Sequence, residues 1–383
     1  MVPPLEKVLK TAEYLSLHNR FPQTFHHLEV RNFLKEALAE VGKLGTQKFR
    51  YSLLKPLSGE VKSGLDLFKA LPYSNSPAGE VSGELVDCGY GTPAELSNLY
   101  LKGKVALVRE GKLPFRVKER LLAQKGAVGI LVFREEVNDY FAGLSAGLLP
   151  VAALRKEDAL RLEEFVKLKV ETVPVKPKGE NLWVEFGPEG RRETLTLIAH
   201  YDTKPFTKGA VDNAVSVALL LHLAQELAGA VRLPPYRVRI LFTDAEEYGL
   251  LGAKAFVKLL DEEELKNSVV VSVDTVGWST PAVLVGDGAG KNDESLADAV
   301  AAMLEYLGYR DRVVFTLGRS GRSDHVPFKK AGARTLFFAS NPFPFRHTGL
   351  DRFEVVDGRA VALWFDFLRF FVKNFHRRGR FMA

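Results

Sequence analysis

Residues 195–251 read LTLIAHYDTKPFTKGAVDNAVSVALLLHLAQELAGAVRLPPYRVRILFTDAEEYGLL, and their pattern decides the fold. The apolar run 195–199 ends on His200 and Asp202. Asp212 and Asn213 open a long apolar segment, and a second apolar run, 238–242, closes on the adjacent Glu246 and Glu247. Two strand-like runs thus release imidazole and carboxylate groups at their C-terminal ends, with a helix predicted to begin at Asp212 between them. Open α/β sheets place their chemistry along that edge.

The pattern continues outward. Downstream, helical spacing over 253–260 leads to a strand at 269–273 that ends on Asp274, then a strand at 282–285, a helix at 293–307 and a strand at 313–316. A loop carrying Arg319, Arg322, Ser323, Asp324 and His325 precedes a strand at 335–339. His347 lies in the segment after it, and a last helix is predicted over 357–374. Upstream, 181–187 reads as a strand. Residues 5–43 read as two helices, the second with Phe33, Leu34, Ala37, Leu38 and Val41 on one face. Strands alternating with helices predict an α/β fold, a mostly parallel mixed sheet flanked by helices.

Residues 78–172 have a different texture. Short strands at 81–86, 104–108 and 128–133 alternate with helices predicted at 115–124 and 156–166. The pieces Gly103-Lys104-Val105-Ala106-Leu107-Val108-Arg109, Phe115 with Lys118, residues 125–132 (KGAVGILV) and Leu149-Pro150-Val151 resemble, in order and spacing, the protease-associated domain. That resemblance implies a small β-rich α/β insertion without catalytic residues that frames the site of a host peptidase. The chain then divides into 1–77, N-terminal helices and the first part of the main domain; 78–172, the insertion; and 173–383, the rest of the main domain.

Composition narrows the class. At 383 residues, 46% hydrophobic and 26% charged, the chain has globular composition and a length that favours two domains. No apolar run reaches the roughly 18 residues a membrane span needs. Leu5, Val8, Leu9, Ala12 and Leu15 make the N-terminus an amphipathic helix rather than a signal peptide, so the expected location is cytoplasmic. The single cysteine, Cys88, excludes an internal disulfide and a Cys-based zinc site. The net charge of +6 comes from residues scattered along the chain, and the basic tail at 373–380, with Phe375 its one aromatic, does not form an aromatic-interleaved basic motif. Neither nucleic acid nor a membrane is an expected partner; self-association is left open.

The candidate ligands are His200, Asp212, Glu246 or Glu247, Asp274 and His347, each at or just beyond an apolar run. Several such residues on successive strands imply one pocket. Clustered carboxylates repel one another unless a cation sits among them. Two histidines with several carboxylates suit a borderline divalent metal, zinc first.

At these residues the chain resembles a family. His200-Tyr201-Asp202, Gly209-Ala210-Val211-Asp212-Asn213-Ala214, residues 246–252 (EEYGLLG), Asp274-Thr275-Val276-Gly277, residues 323–328 (SDHVPF) and His347-Thr348 resemble the co-catalytic di-zinc exopeptidases, which include the bacterial leucyl aminopeptidases and the glutamate carboxypeptidase II group. The resemblance implies two Zn2+ ions, replaceable by Co2+ or Mn2+, with Asp212 bridging. His200 and Asp274 complete one site, Glu247 and His347 the other. It further implies a cis Asp212–Asn213 bond, Asp202 orienting the His200 ring, and Glu246 as general base for a metal-bound water that attacks the scissile carbonyl. The expected activity is removal of N-terminal residues from peptides. A carboxypeptidase or dipeptidase of the same family is the alternative; a glutaminyl cyclase or a non-catalytic receptor-like protein fits the five filled positions less well.

Other residues have plainer expectations. His26 and His27 read as helix-end histidines, His222 as a packed helix residue, and His325 as structural support beside the pocket. Asp244, Asp351 and Glu354 read as solvated loop positions. Arg319 and Arg322 are placed to clamp a substrate carboxylate, or to sit on a surface loop. Arg346 is placed to meet the reacting carbonyl, or to face solvent. Trp278, Phe343 and Phe345 suit an apolar side-chain pocket, or the core.

Overall fold

The structure, a computed structural model, describes residues 4–188, 190–191, 193–285, 293–317 and 322–378. The chain opens with α1 (Pro4–Leu15) and α2 (Phe25–Ala39), then β1 (Gly45–Arg50). Next comes a closed barrel of β2 (Leu53–Ser63), β3 (Asp66–Pro72), β4 (Gly79–Asp87), β5 (Val105–Arg109), β6 (Gly129–Phe133), β7 (Val151–Ala153) and β8 (Phe165–Val175). Around it lie α3 (Pro93–Leu96), α4 (Phe115–Gln124) and the single turn α5 (Lys156–Ala159).

Two expectations change here. The barrel begins at Leu53, so its strands reach upstream of the 78–172 segment read from sequence. The helix expected over 156–166 stops at Ala159, and Phe165 starts the long strand β8. Ala159 and Leu162 mimic helical spacing, but from Phe165 the pattern has period two: Val166, Leu168 and Val170 are buried while Phe165 and Lys167 are exposed. Alternate side chains of the barrel, among them Val61, Val105, Leu107, Leu131 and Leu168, fill its interior. The opposite residues of β5 and β6, Ala106, Val108, Ile130 and Val132, pack under Phe115 and Leu122 of α4.

The main domain resumes with β9 (Lys178–Phe186), β10 (Thr194–His200), α6 (Val215–Ala228), β11 (Arg237–Thr243), α7 (Leu251–Val257), α8 (Glu262–Lys266), β12 (Ser268–Val273) and β13 (Pro281–Val285). It ends with α9 (Glu294–Tyr306), β14 (Val314–Leu317), α10 (His325–Lys330), β15 (Arg334–Ser340) and α11 (Gly358–Arg378). Among the described residues the sheet has eight strands, in the order β1-β9-β11-β10-β12-β15-β13-β14. Its centre, β11-β10-β12-β15, is parallel; β9 runs antiparallel to both β11 and β1, and β13 antiparallel to β15 but parallel to the edge strand β14.

Every residue of β10 and β12 is buried, as strands covered on both faces must be. Alternate residues serve opposite layers. Leu197, Ala199, Ile240 and Phe242 join the large core under α1, α2, α6, α9 and α11. Ile198, Leu241 and Val270 join the smaller one with Phe256 of α7 and Phe328 of α10. Helix α6 is apolar almost all round, which fits its place between sheet and outer helices. Its one basic residue, His222, is half-buried, with Nε2 2.9 Å from Thr11 Oγ1 of α1. Among the described residues no helix is long and apolar enough to cross a membrane.

Candidate active site

The C-terminal ends of the parallel strands lie side by side. His200 closes β10 opposite Thr243 of β11, and Val273, just before Asp274, pairs with Phe338 of β15. The turn after β11 presents Glu246 and Glu247, and the loop after β15 returns with His347. The helix expected from Asp212 starts instead at Val215: Asp212 and Asn213 have non-helical dihedrals, and the peptide bond between them is cis.

The five candidate ligands converge. His200, Asp212 and Asp274 form one group of facing donor atoms, and Asp212, Glu247 and His347 a second. Asp212 belongs to both, with its two oxygens divided between them: Oδ1 lies 3.1 Å from His200 Nε2 and Oδ2 3.3 Å from His347 Nε2. Glu247 Oε2 is 3.0 Å from His347 Nε2, and Asp274 Oδ1 is 3.7 Å from His200 Nε2. Glu246 belongs to neither group. It lines the adjoining cavity.

Hydrogen bonds around these side chains fix their positions. Asp202 Oδ1 accepts from the Glu246 amide at 3.0 Å and Oδ2 from the Glu247 amide at 3.2 Å. The Asp202 carboxylate therefore grips the glutamate turn; it lies 3.5 Å from His200 Nδ1, whose nearer partner is the Asp202 backbone carbonyl at 3.1 Å. This refines the expectation that the carboxylate itself orients the ring. Ser323 Oγ donates to Asp274 Oδ2 at 2.7 Å. Asn213 takes the Thr275 amide on Oδ1 and donates to the Val273 carbonyl, tying the cis turn to the end of β12. His325, buried, stacks on Phe337.

Several structural groups were invisible in sequence, and two expectations reverse. Asp351 is fully buried, and its oxygens accept from the amides of Val211 and Asp212 at 2.8 and 3.1 Å. Asp244 is also fully buried. It meets His27 Nε2 at 3.0 Å and accepts from the Tyr201 hydroxyl at 3.0 Å and the Glu180 amide at 3.2 Å. His26 and His27 do stand at a helix end, in the first turn of α2, but both are buried there. Arg20, 1% exposed, donates to the carbonyls of Leu15, Tyr201, Lys208 and Gly209, stitching the end of α1 to the loop before Asp212. Lys204 is buried, donates to the Glu247 carbonyl and sits over the Tyr248 ring. Glu354 is exposed, as expected.

Electrostatics follow from this crowding. Burial pushes Glu246 well above the usual carboxylate range, with Glu247 and Asp274 adding to it against the pull of His200. Burial alone would lower His200, but the facing carboxylates of Asp202, Asp212 and Asp274 outweigh it and hold the ring well above its ordinary value. Burial, then the nearby Asp212, raises Asp351 to about 7. Burial draws Arg20 down to about 10 despite Asp351, Asp202 and Asp212. Cys88 lies away from all this; burial raises its thiol to about 12.

A cavity of about 640 Å³ opens over the carboxylates. The barrel domain supplies part of its wall through Arg116 and Leu144, and braces the loop that carries His347. The Ala142 amide donates to the His347 carbonyl at 2.8 Å, Arg134 donates to the Arg346 carbonyl at 3.2 Å, and the Phe141 and His347 rings lie 5.5 Å apart. Glu119 holds this part of the barrel in shape, accepting from the Ser145 hydroxyl and the Leu148 amide. Trp278, Phe343 and Phe345 pack on one another instead, and Phe343 lines a separate neighbouring cavity. Arg322 and Arg346 reach the main cavity from exposed positions; Arg319 lies outside the described residues.

The donor set fits a divalent metal. His200 Nε2 and Asp274 Oδ1, of the first group, and Glu247 Oε1, of the second, are buried without a hydrogen-bond partner. Buried polar atoms left in that state cost free energy unless a bound species satisfies them.

Fold and site together define an α/β metallohydrolase with its donors on the C-terminal edge of a parallel sheet. The description of Peptidase family M28 matches residues 181–372, and that of the PA domain residues 81–162. The chain belongs to Peptidase family M28 and carries an inserted PA domain, and is thus a zinc-dependent hydrolase of that family. It is similar to aminopeptidase YwaD of Bacillus subtilis, 26% identical over 332 residues, covering 82% of this chain and 71% of that one. It is also similar to leucine aminopeptidase 2 of Trichophyton rubrum, 29% identical over 349 residues, covering 84% and 66%. The solved structure of BSAP, a zinc aminopeptidase from Bacillus subtilis, superposes with TM-score 0.78 at 22% identity over 97% of this chain and 94% of its own. Bacteroides thetaiotaomicron glutaminyl cyclase shares the fold with TM-score 0.58 at 15% identity, each chain covered to 97%.

Proposed function

We propose that this protein is an aminopeptidase that works with two divalent ions, zinc first, and removes N-terminal residues from peptides. The observation that carries the reading is the division of Asp212: one oxygen faces His200 and Asp274, the other faces Glu247 and His347. His200, Asp212 and Asp274 would hold one ion, and Asp212, Glu247 and His347 the other. When bound, such ions polarise a carbonyl and lower the pKa of water.

The remaining steps belong to the chain's own groups. Glu246, beside both groups but in neither, takes the proton of the attacking water and passes it to the departing amine, so no net proton is consumed in breaking the bond. The Asp202 carboxylate holds the backbone of Glu246 and Glu247 together, so the proton carrier and its ligand neighbour keep a fixed spacing. The aminopeptidase names of the relatives support N-terminal over internal cleavage.

One observation favours the carboxypeptidase or dipeptidase reading: Arg322 and Arg346 at the cavity, able to meet a terminal carboxylate. The deciding assay compares leucyl-p-nitroanilide with N-acetylated dipeptides, with and without a chelator. Chelator-sensitive release from the free-amine substrate alone is expected. Cleavage of the blocked dipeptides in preference to the anilide overturns the proposal.

A further inference from the structure

The cavity over the carboxylates has two electrical halves. Asp212, Glu246, Glu247 and Asp274 make its floor. Its mouth is ringed by Arg116 from α4, Lys254 and Lys258 one helical turn apart on and just beyond α7, Arg322 ahead of α10, Lys330 at the end of α10, and Arg346 beside His347. All six are exposed. Elsewhere on the surface, cations pair with carboxylates: Lys10 with Glu6, Arg161 with Asp66, Lys167 with Glu80. Among the described residues, none of the six takes part in an ion pair.

Six like charges brought from separate elements to one opening repel one another. Lys254 registers the crowding: burial, and then Arg116, Arg322 and Lys330, hold its amine below the ordinary lysine range. A low-dielectric cleft lined by one sign of charge concentrates the opposite sign. Arginine and lysine together suit a carboxylate, the first by paired hydrogen bonds and the second as a mobile point charge.

We infer that the mouth is a specificity site that selects peptides bearing a carboxylate one or two residues beyond the N-terminus. The inference rests on the aminopeptidase reading for its orientation: the N-terminal residue and the scissile bond lie at the metal-binding floor, so a carboxylate on the residues that follow falls at the basic rim. Two sources supply that group, an acidic side chain after the scissile bond or the free C-terminus of a short peptide.

The test uses the full zinc-loaded chain and two peptide pairs, Leu-Gly-Gly against its C-terminal amide and Leu-Glu-NH2 against Leu-Gln-NH2. In at least one pair kcat/KM for the charged member should exceed that of the neutral one about tenfold, and the ratio should shrink with added salt. A preference in the first pair assigns the carboxylate to the C-terminus, in the second to the side chain. Lys254→Glu with Arg322→Glu should bring the ratio to one or invert it; a folding defect lowers both members together and leaves the ratio intact. Calorimetric titration of Glu246→Gln protein with the same peptides reads the preference without turnover. An absence of peptidase activity would therefore sink the aminopeptidase reading while leaving this one measurable. Ratios within about twofold of one in both pairs and in both measurements, or ratios untouched by the charge reversals, overturn the inference.

Discussion

Asp351 shows how much of the site is held by groups that touch no substrate. Its two oxygens occupy the amides of Val211 and Asp212, so the bridging candidate is fixed through its own backbone. Asp351→Ala leaves two buried donors without an acceptor, and is expected to cost about 2–4 kcal/mol in denaturant unfolding. A change below about 0.5 kcal/mol would show the loop has another anchor. Ser323 plays the corresponding part for Asp274, and Ser323→Ala is expected to weaken zinc affinity by about tenfold to a hundredfold in a competitive chelator titration, with melting little altered. Unchanged affinity sinks that role. Glu246→Gln should keep its metal and lose about two to four orders of magnitude in kcat. Near-normal turnover removes Glu246 as the proton carrier. At this scale the sequence was informative about groups that end apolar runs and silent about groups whose partners are remote. His200 and Asp274 stand where buried strands stop. Asp244 follows the same strand end as Glu246, yet its imidazole partner His27 lies 217 positions away, and burial of that pair has no local signal.

Among elements, the central parallel strands were legible because they are buried on both faces and read as unbroken apolar runs. Barrel strands β2 and β3 were not, because their outward residues are polar and half-exposed, so their alternation is diluted by Lys, Glu and Ser. The same dilution hid the start of the barrel. The barrel does more than frame the cavity: Arg134 and Ala142 hold the carbonyls of Arg346 and His347, coupling the inserted domain to a candidate ligand. Arg134→Met keeps the aliphatic stem and removes the donor. It is expected to lower kcat/KM about threefold to tenfold with little change in melting temperature, the cost of one charge-assisted hydrogen bond. Kinetics indistinguishable from the parent protein would separate the barrel from the chemistry.

Across the whole molecule, the two halves meet at a cavity whose floor concentrates buried carboxylates. Their mutual repulsion makes the folded state depend on a cation among them. Removing metal with a chelator is therefore expected to lower the melting temperature by about 5 °C or more, and restoring zinc to reverse it; an unshifted transition would mean that the carboxylates are neutralised by protons instead. The central claim is the bridge at Asp212. Anomalous scattering collected at the zinc edge from zinc-loaded crystals tests it most directly. Two peaks per chain are expected, one beside His200 and Asp274, the other beside Glu247 and His347, with one Asp212 oxygen on each. A single peak, or two peaks that leave Asp212 unbound, contradicts it.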